Sequence, residues 1–413
     1  MKRGNLIHLL IIVVVTLGVT LGIWGAALAQ DVTPIRVGST LALTGGLAAT
    51  GKIHQIAGTE FVKLLSERGG LLGRPVEWVL LDDEGTGDKA AAGYERLITA
   101  ERVDLLVGPY GTAATVAAQG VADRYGYVLP FPAQSLTYNN VYDRQFMAWP
   151  TGLDTHISTP GIIFDAYLNT PNPPKTVAFV VSRFPSAQFL VYGRDGVGGA
   201  IRVAEEKGLQ VVLDISYDLG TTDFTAIALR IRQADPDLLF VGALGEDGPN
   251  LMAAMAQLGY RPRGQFYLWP SPGPMLEAGP LAEGATSITA FENNAAYLRN
   301  HGAPEFVERF VRAAKEAGLP YTDPEIQAAS QWAAWQILVA GVEGCQCLDQ
   351  AGIAEYIQNN TIPTVFGDLT FDRNQNNVPP DIQAVKQIQN GQWVVVYPDR
   401  WAVEGSQLIY PSR

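Results

Sequence analysis

The stretch Leu105-Leu-Val-Gly-Pro-Tyr-Gly-Thr-Ala-Ala-Thr115 decides how this chain is read. Leu105 to Val107 form a short apolar, strand-like run that stops at Gly108-Pro109. Proline has no N–H for a strand ladder, so the chain turns there. After Tyr110-Gly111 come hydroxyls at Thr112 and Thr115, which mark a helix start. A helix N-terminus leaves backbone N–H groups unpaired and carries partial positive charge. The run is therefore either an ordinary capped helix in an α/β sheet or a seat for a small anionic group. No nucleophile, Walker lysine or metal-ligand cluster stands in it, which suits it to gripping a ligand rather than transforming one.

The same grammar repeats outward from this run. Residues 35–43, 76–81 and 128–129 read as strands, and 54–67, 88–100 and 112–124 as helices. A second series follows the Asn172-Pro-Pro174 turn. Its strands are 177–181, 211–214, 238–241 and 266–269, and its helices 188–207, 224–233 and 248–258. Short Gly, Pro and Asp turns between alternating strands and helices predict parallel βαβ units with helices on both sheet faces. Two consecutive helices, 304–317 and 324–342, come next, the second carrying Trp332 and Trp335, then a short helix over 349–358. The tail reads as strands, running from Leu369 to Tyr397 with a turn at Asn390-Gly391. A chain of 413 residues is too long for one ordinary domain and fits two. The last helices and strands complete those two rather than building a third.

Lys2 and Arg3 precede an almost wholly apolar run from Leu6 to Leu28, and Ala27-Leu28-Ala29 offers a small-x-small cleavage site before Gln30. That layout predicts a secretory signal peptide over residues 1–29. The run is also long enough to stay uncleaved as an anchor. With no cysteine near the site, lipoprotein processing is excluded. The chain holds 29 Lys and Arg against 41 Asp and Glu, a net charge of −12; losing Lys2 and Arg3 takes it two further, to −14. So acidic a chain argues against nucleic acid and against anionic membrane surfaces as partners. Cys345 and Cys347 are the only cysteines. They leave two readings, a pair of thiols or a strained local bridge, and no disulfide framework. His54, His156 and His301 are scattered, so neither a metal nor another cofactor is expected.

Further segments narrow the family. Gly69-Gly-Leu-Leu-Gly-Arg-Pro-Val-Glu77 joins the first helix to the second strand, and Asp82-Asp83 is followed by Asp88 and Ala91. Thr151-Gly-Leu-Asp154 and Phe366-Gly-Asp-Leu-Thr-Phe-Asp372 flank the second series. In this order, behind an export signal, they resemble the type I periplasmic solute-binding proteins of ABC importers, in the branched-chain amino-acid (Leu/Ile/Val) and amide-binding group. The resemblance implies two doubly wound α/β lobes joined by a three-crossing hinge, the chain crossing near 149–153, 284–290 and 365–369. Lobe 1 is then 30–150 with 287–365, and lobe 2 is 151–286 with 366–413. It also implies an exported monomer that closes around a small solute and delivers it to an ABC permease.

Carried over residue by residue, the resemblance puts Thr112 at the ligand carboxylate. Ala133 and Ser135 receive the α-ammonium and carboxylate, and Tyr192 covers the ligand from the second lobe. Tyr110 and Phe131 flank the same cleft as apolar walls or belong to the core. The amino-acid binders carry an acid after the fourth strand of the second lobe. Here Leu268-Trp-Pro-Ser-Pro-Gly273 has Ser271 near that place. Glu246 and Asp247 either substitute for that acid or merely complement a helix dipole. Trp269 favours a flatter or larger apolar ligand, so a carboxylate, amide or urea-like solute competes with a branched-chain amino acid.

An enzyme is the rival class. Gly-x-Ser-x-Gly, Walker and His-Glu-x-x-His patterns are missing, and Gly196-Val-Gly-Gly199 lacks dinucleotide-binding spacing. Asp82 and Asp83 are neighbours on a strand and point to opposite faces, so they cannot act as a close carboxylate pair. An uncleaved N-terminus would instead make the protein a membrane-tethered sensor subunit.

Overall fold

The computed structural model describes residues 33–139, 142–218 and 220–411. The leader read over residues 1–29 lies outside them. The first series builds β1 (Ile35–Leu41), α1 (Ala48–Glu67), β2 (Val76–Asp82), α2 (Gly87–Thr99), β3 (Leu105–Leu106), α3 (Thr112–Tyr125), β4 (Leu129–Phe131) and β5 (Gln145–Met147). β2-β1-β3 form a parallel sheet, and β4 and β5 pair in parallel.

The second series opens with α4 (Thr155–Leu168), β6 (Thr176–Ser182), α5 (Pro185–Tyr192), α6 (Ala200–Glu206), β7 (Gln210–Tyr217) and α7 (Thr225–Ala234). It continues with β8 (Leu238–Gly245), α8 (Asp247–Gln257), β9 (Gly264–Pro270), α9 (Pro272–Glu277) and β10 (Thr286–Thr289). After these come α10 (Ala303–Glu316), α11 (Ile326–Cys345), α12 (Gln350–Asn359), the antiparallel pair β11 (Ile362–Thr364) and β12 (Gly367–Leu369), and the hairpin β13 (Ala384–Gln389) and β14 (Gln392–Tyr397).

The hairpin adds antiparallel to β10 and completes a seven-stranded sheet of order β14-β13-β10-β9-β8-β6-β7. The predicted α/β architecture with parallel sheets is what the chain adopts. Successive strands leave β1 in opposite directions, to β2 and then β3, and do the same from β6, to β7 and then β8. Those reversals open crevices at the carboxyl ends of the strands, where open α/β sheets bind ligands.

The seven-stranded sheet is buried on both faces, and its strands sort their side chains by alternation. Val177, Phe179 and Val181 of β6 join Phe240 and Phe266 on one face; Ala178 and Val180 join Val241 and Tyr267 on the other. Beside β1, α1 packs on α11 through an aromatic cluster. Phe61 meets Trp332 edge-on at 4.9 Å between ring centres, and Trp335 lies edge-on to Trp78 at 5.7 Å.

One expectation is corrected, and two points that the sequence leaves open are settled. The single helix over 188–207 is two, α5 and α6, because the chain doubles back between them. A side chain at Gly193 would stand 2.3 Å from the Val197 carbonyl oxygen, so this turn closes only on glycine. Residues 155–168, to which the sequence pattern assigns nothing, form α4 despite Pro160 within it, held by the burial of Ile163, Phe164 and Tyr167. Cys345 and Cys347 form a disulfide at the end of α11, which settles the two readings of that pair.

Candidate functional site

β3 ends at Leu106, one residue before the predicted Val107, and α3 begins at Thr112 as predicted. Gly108 is needed at the turn: an added Cβ would stand 2.2 Å from the Cβ of Phe131, because β4 passes directly alongside. The Gly108 N–H donates to the Pro130 carbonyl at 2.7 Å and fixes this close approach. Gly111 precedes α3 and provides no side-chain cap. The first backbone bond of the helix runs from the Thr115 N–H to the Gly111 carbonyl at 2.9 Å, so the N–H groups of residues 112–114 have no partner within the helix.

The Gly111-Thr112 start of this helix stands at a cavity of about 30 Å3 between the carboxyl ends of the two sheets. From the β3 and β4 side come Tyr110, Gly111, Thr112, Ala133, Gln134 and Ser135; from the connection after β5 come Trp149 and Thr151; from the seven-stranded sheet come Phe184, Ser186, Leu244 and Trp269. A second helix start therefore lies on this cavity. Phe184 precedes α5, Pro185 fills its first position and Ser186 follows, with no side-chain cap. α3 and α5 meet across the cavity.

No charged side chain lines the cavity among the described residues. Its walls are aromatic and its polar groups are hydroxyls, one amide and indole N–H groups. Trp149 and Trp269 meet edge-on at 5.9 Å. The Gln134 amide is already committed, accepting from Gln119 at 2.9 Å and donating to the Leu136 carbonyl at 3.0 Å. Such a site can hold an anionic or neutral polar group on two helix starts and an apolar body between rings.

Behind Tyr110 lies a buried polar cluster. The His54 ring stands 4.4 Å from the Tyr110 ring, and its Nδ1 is 3.2 Å from Gln331 Oε1. Burial holds the His54 imidazole down at about 3, so it is neutral. Glu325, at the start of α11, accepts the Gln327 N–H at 3.0 Å. Its burial pushes the carboxyl up to about 7, against the opposing pull of Lys386. Lys386 of β13 donates to Glu292 at 2.6 Å in a buried ion pair.

Of the residues singled out from the sequence, Tyr110, Thr112, Ala133, Ser135 and Trp269 come together on this cavity, and four do not. Phe131 is fully buried in the core beside Gly108. Tyr192 is turned away: its hydroxyl donates to Asp214 at 2.8 Å, and it borders a separate surface groove. Ser271 is buried at the head of α9, its N–H donating to the Gly245 carbonyl at 2.9 Å. Glu246 is exposed at the head of α8, and the adjacent Asp247 accepts the Tyr217 hydroxyl at 2.8 Å. Sequence reasoning missed Trp149, Phe184, Ser186 and Leu244 as wall residues, and read Thr151 only as part of a chain crossing. The signal for Phe184-Pro-Ser186 was present: like Leu105–Thr115, it is a strand that runs into proline and a hydroxyl.

A family model described as periplasmic binding protein matches residues 34–392. The amino acid binding protein of Pseudomonas aeruginosa is 23% identical over 333 residues, 80% of this chain and 84% of that protein. The Leu/Ile/Val-binding protein of Escherichia coli K12 is 24% identical over 354 residues, 84% of this chain and 88% of that one. Among solved structures, the branched-chain amino acid transporter substrate binding protein LivJ of Streptococcus pneumoniae, in complex with isoleucine, superposes with a TM-score of 0.70 at 19% identity, over 89% of this chain and 100% of that one. An ABC transporter solute binding protein of R. palustris, in complex with benzoate, superposes with a TM-score of 0.72 at 20% identity, over 91% and 99%. The family match spans nearly all the described residues, and the chain belongs to the periplasmic binding protein family, whose members bind solutes rather than transform them.

Proposed function

We propose that this chain is the exported receptor of an ABC importer, and that it holds a small solute bearing a carboxylate and an apolar body in the cavity between its two sheets. The observation that carries this reading is the pair of uncapped helix starts, Gly111-Thr112 and Phe184-Ser186, on one aromatic-walled cavity without a charged side chain. Thr112 and Ser135 hold the carboxylate with the free N–H groups of α3, Ala133 borders them, and Tyr110 and Trp269 wall the apolar body. Relatives named for leucine, isoleucine and valine, and one bound to benzoate, support this solute class.

A cavity of about 30 Å3 is far below the several hundred Å3 of ordinary ligand pockets. Solute access therefore needs the sheets to part. We assign that motion to a hinge between lobe 1 (30–150 and 287–365) and lobe 2 (151–286 and 366–413), with a permease reading the closed form. The leader over residues 1–29 takes the chain across the inner membrane. Among the described residues no helix is long and apolar enough to cross a membrane.

The test is a thermal-shift panel of amino acids, carboxylates, amides and ureas on the exported protein. A ligand that binds only the folded state at 100 times its Kd stabilises it by about 2.7 kcal/mol. Thr112→Ala with Ser135→Ala is expected to abolish the shift and leave the unliganded melting temperature in place. No shift with any compound, or an undiminished shift in the double variant, overturns the proposal.

A further inference from the structure

We infer that the solute carries a second hydrogen-bond acceptor besides its carboxylate, received by Trp149, Trp269 and Thr151, and that it has no ammonium group. This rests on reading the cavity as the solute site. Trp149 Nε1, Trp269 Nε1 and Thr151 Oγ1 are each buried without a hydrogen-bond partner among the described residues. All three side chains border the same cavity, and Trp149 and Thr151 are themselves more than nine-tenths buried. Trp78, Trp335, Trp393 and Trp401 also lack indole partners among the described residues, but they border none of the cavities described.

A buried donor without a partner bears its full desolvation cost. An indole N–H can only donate, so it is satisfied by an acceptor and by nothing else. The carboxylate already has donors of its own in the free N–H groups of α3 and the hydroxyls of Thr112 and Ser135. Two further obligate donors and a hydroxyl therefore call for another oxygen on the ligand. They also disfavour a cation: an ammonium beside two indole N–H groups meets donor against donor, and no acidic side chain lines the cavity to offset it. The rings of Tyr110, Phe184, Trp149 and Trp269 favour a planar body between the two acceptors. The ligand class that fits is an aromatic carboxylate bearing a ring hydroxyl or a second carboxylate.

The experiment is isothermal titration calorimetry of the exported protein with benzoate, 3- and 4-hydroxybenzoate, terephthalate, L-leucine and L-phenylalanine. At least one oxygen-substituted benzoate is expected to bind about tenfold or more tighter than benzoate, since a site built to bond an oxygen rejects the analogue that lacks it. Thr151→Val removes the hydroxyl at nearly constant volume, and Trp269→Phe removes the indole N–H while trimming the wall; each is expected to erase most of that preference, read as the ratio of substituted-benzoate to benzoate affinity within the same variant. Benzoate equal to every substituted benzoate, or a preference that survives both variants, overturns the inference and leaves the solute-binding reading standing. Tighter binding of L-leucine or L-phenylalanine does the same. Heat from none of the probes overturns both.

Discussion

Glu325 is the place to test the energetics. It is fully buried at the start of α11, and burial pushes its carboxyl up to about 7 from an ordinary 4.5. Lys386 pulls it back down, but that ammonium is already bonded to Glu292, whose own charge pushes Glu325 further up. The sign follows from proton counting. Below about pH 4.5 Glu325 is protonated in both folded and unfolded chains and costs nothing. Between 4.5 and 7 the unfolded chain releases the proton while the folded chain keeps it, so stability falls as pH rises. Above 7 both forms are ionised and the full penalty is present. At 1.36 kcal/mol per pH unit, that penalty is about 3 kcal/mol.

Glu325→Gln removes the ionisation and keeps an oxygen for the Gln327 N–H. Urea unfolding of both proteins at pH 4.5, 6 and 8 gives the comparison. The variant is expected to match the wild type at pH 4.5 and to exceed it by up to about 3 kcal/mol at pH 8. Parallel curves for the two proteins across this range, or a variant less stable at pH 8, would refute the reasoning, because other titrating groups are common to both and cancel.

Three further outcomes are expected. Lys386→Met strands Glu292 and should cost about 3–5 kcal/mol in urea unfolding, more at pH 8 than at pH 5 because Glu325 is then charged as well; a loss below 1 kcal/mol would show the pair to be solvated. Gly108→Ala forces its new methyl against Phe131 and should lose about 1–3 kcal/mol, since β4 cannot move aside without shifting the cavity wall; unchanged stability would contradict the observed approach. Tyr192→Phe should leave solute affinity within about twofold, since its hydroxyl bonds Asp214 outside the cavity; a tenfold loss measured by calorimetry would return Tyr192 to the site.

What the sequence disclosed divides by the range of the interaction. Local signals were legible. The Gly108-Pro109 stop, the hydroxyls after it and the Asn390-Gly391 turn each lie within a few residues of what they specify, and strand β3, helix α3 and the β13–β14 hairpin follow. Five of the nine chosen residues reach one cavity because each sits at a strand's carboxyl end or in the loop after it, and the alternation of elements fixes which end that is. Long-range decisions were not legible. α4 contains Pro160 and Gly161, and local propensity argues against it; burial of Phe164 and Tyr167 outweighs that cost. Tyr192 was assigned by analogy of position, but the turn at Gly193 ends its helix early, and the ring is anchored to β7 instead. The place of Trp149 and Thr151 on the cavity emerges only when the seven-stranded sheet brings Trp269 against Trp149.

The interface of α1 with α11 changes character along its length, and the change bears on how the cavity works. Far from the cavity it is aromatic, with Phe61, Trp332 and Trp335 packed on one another. Beside the cavity it is polar: His54, Gln327, Gln331 and Glu325 occupy positions that apolar side chains could fill more stably. Gln331 Nε2 has no partner there among the described residues, and Glu325 is held at a cost. The expense is concentrated directly behind Tyr110, whose ring lies tilted against His54 at 4.4 Å and which feels the charge of Glu325. Segments that must move for a ligand are drawn from the less stable parts of a structure. On that physics the aromatic end holds α1 on α11, and the polar end is where Tyr110 is least firmly backed. If the cavity opens for a solute, that ring is the part of the first wall expected to shift first. The Glu325→Gln variant, by stiffening this end, should then slow solute release as well as raise stability.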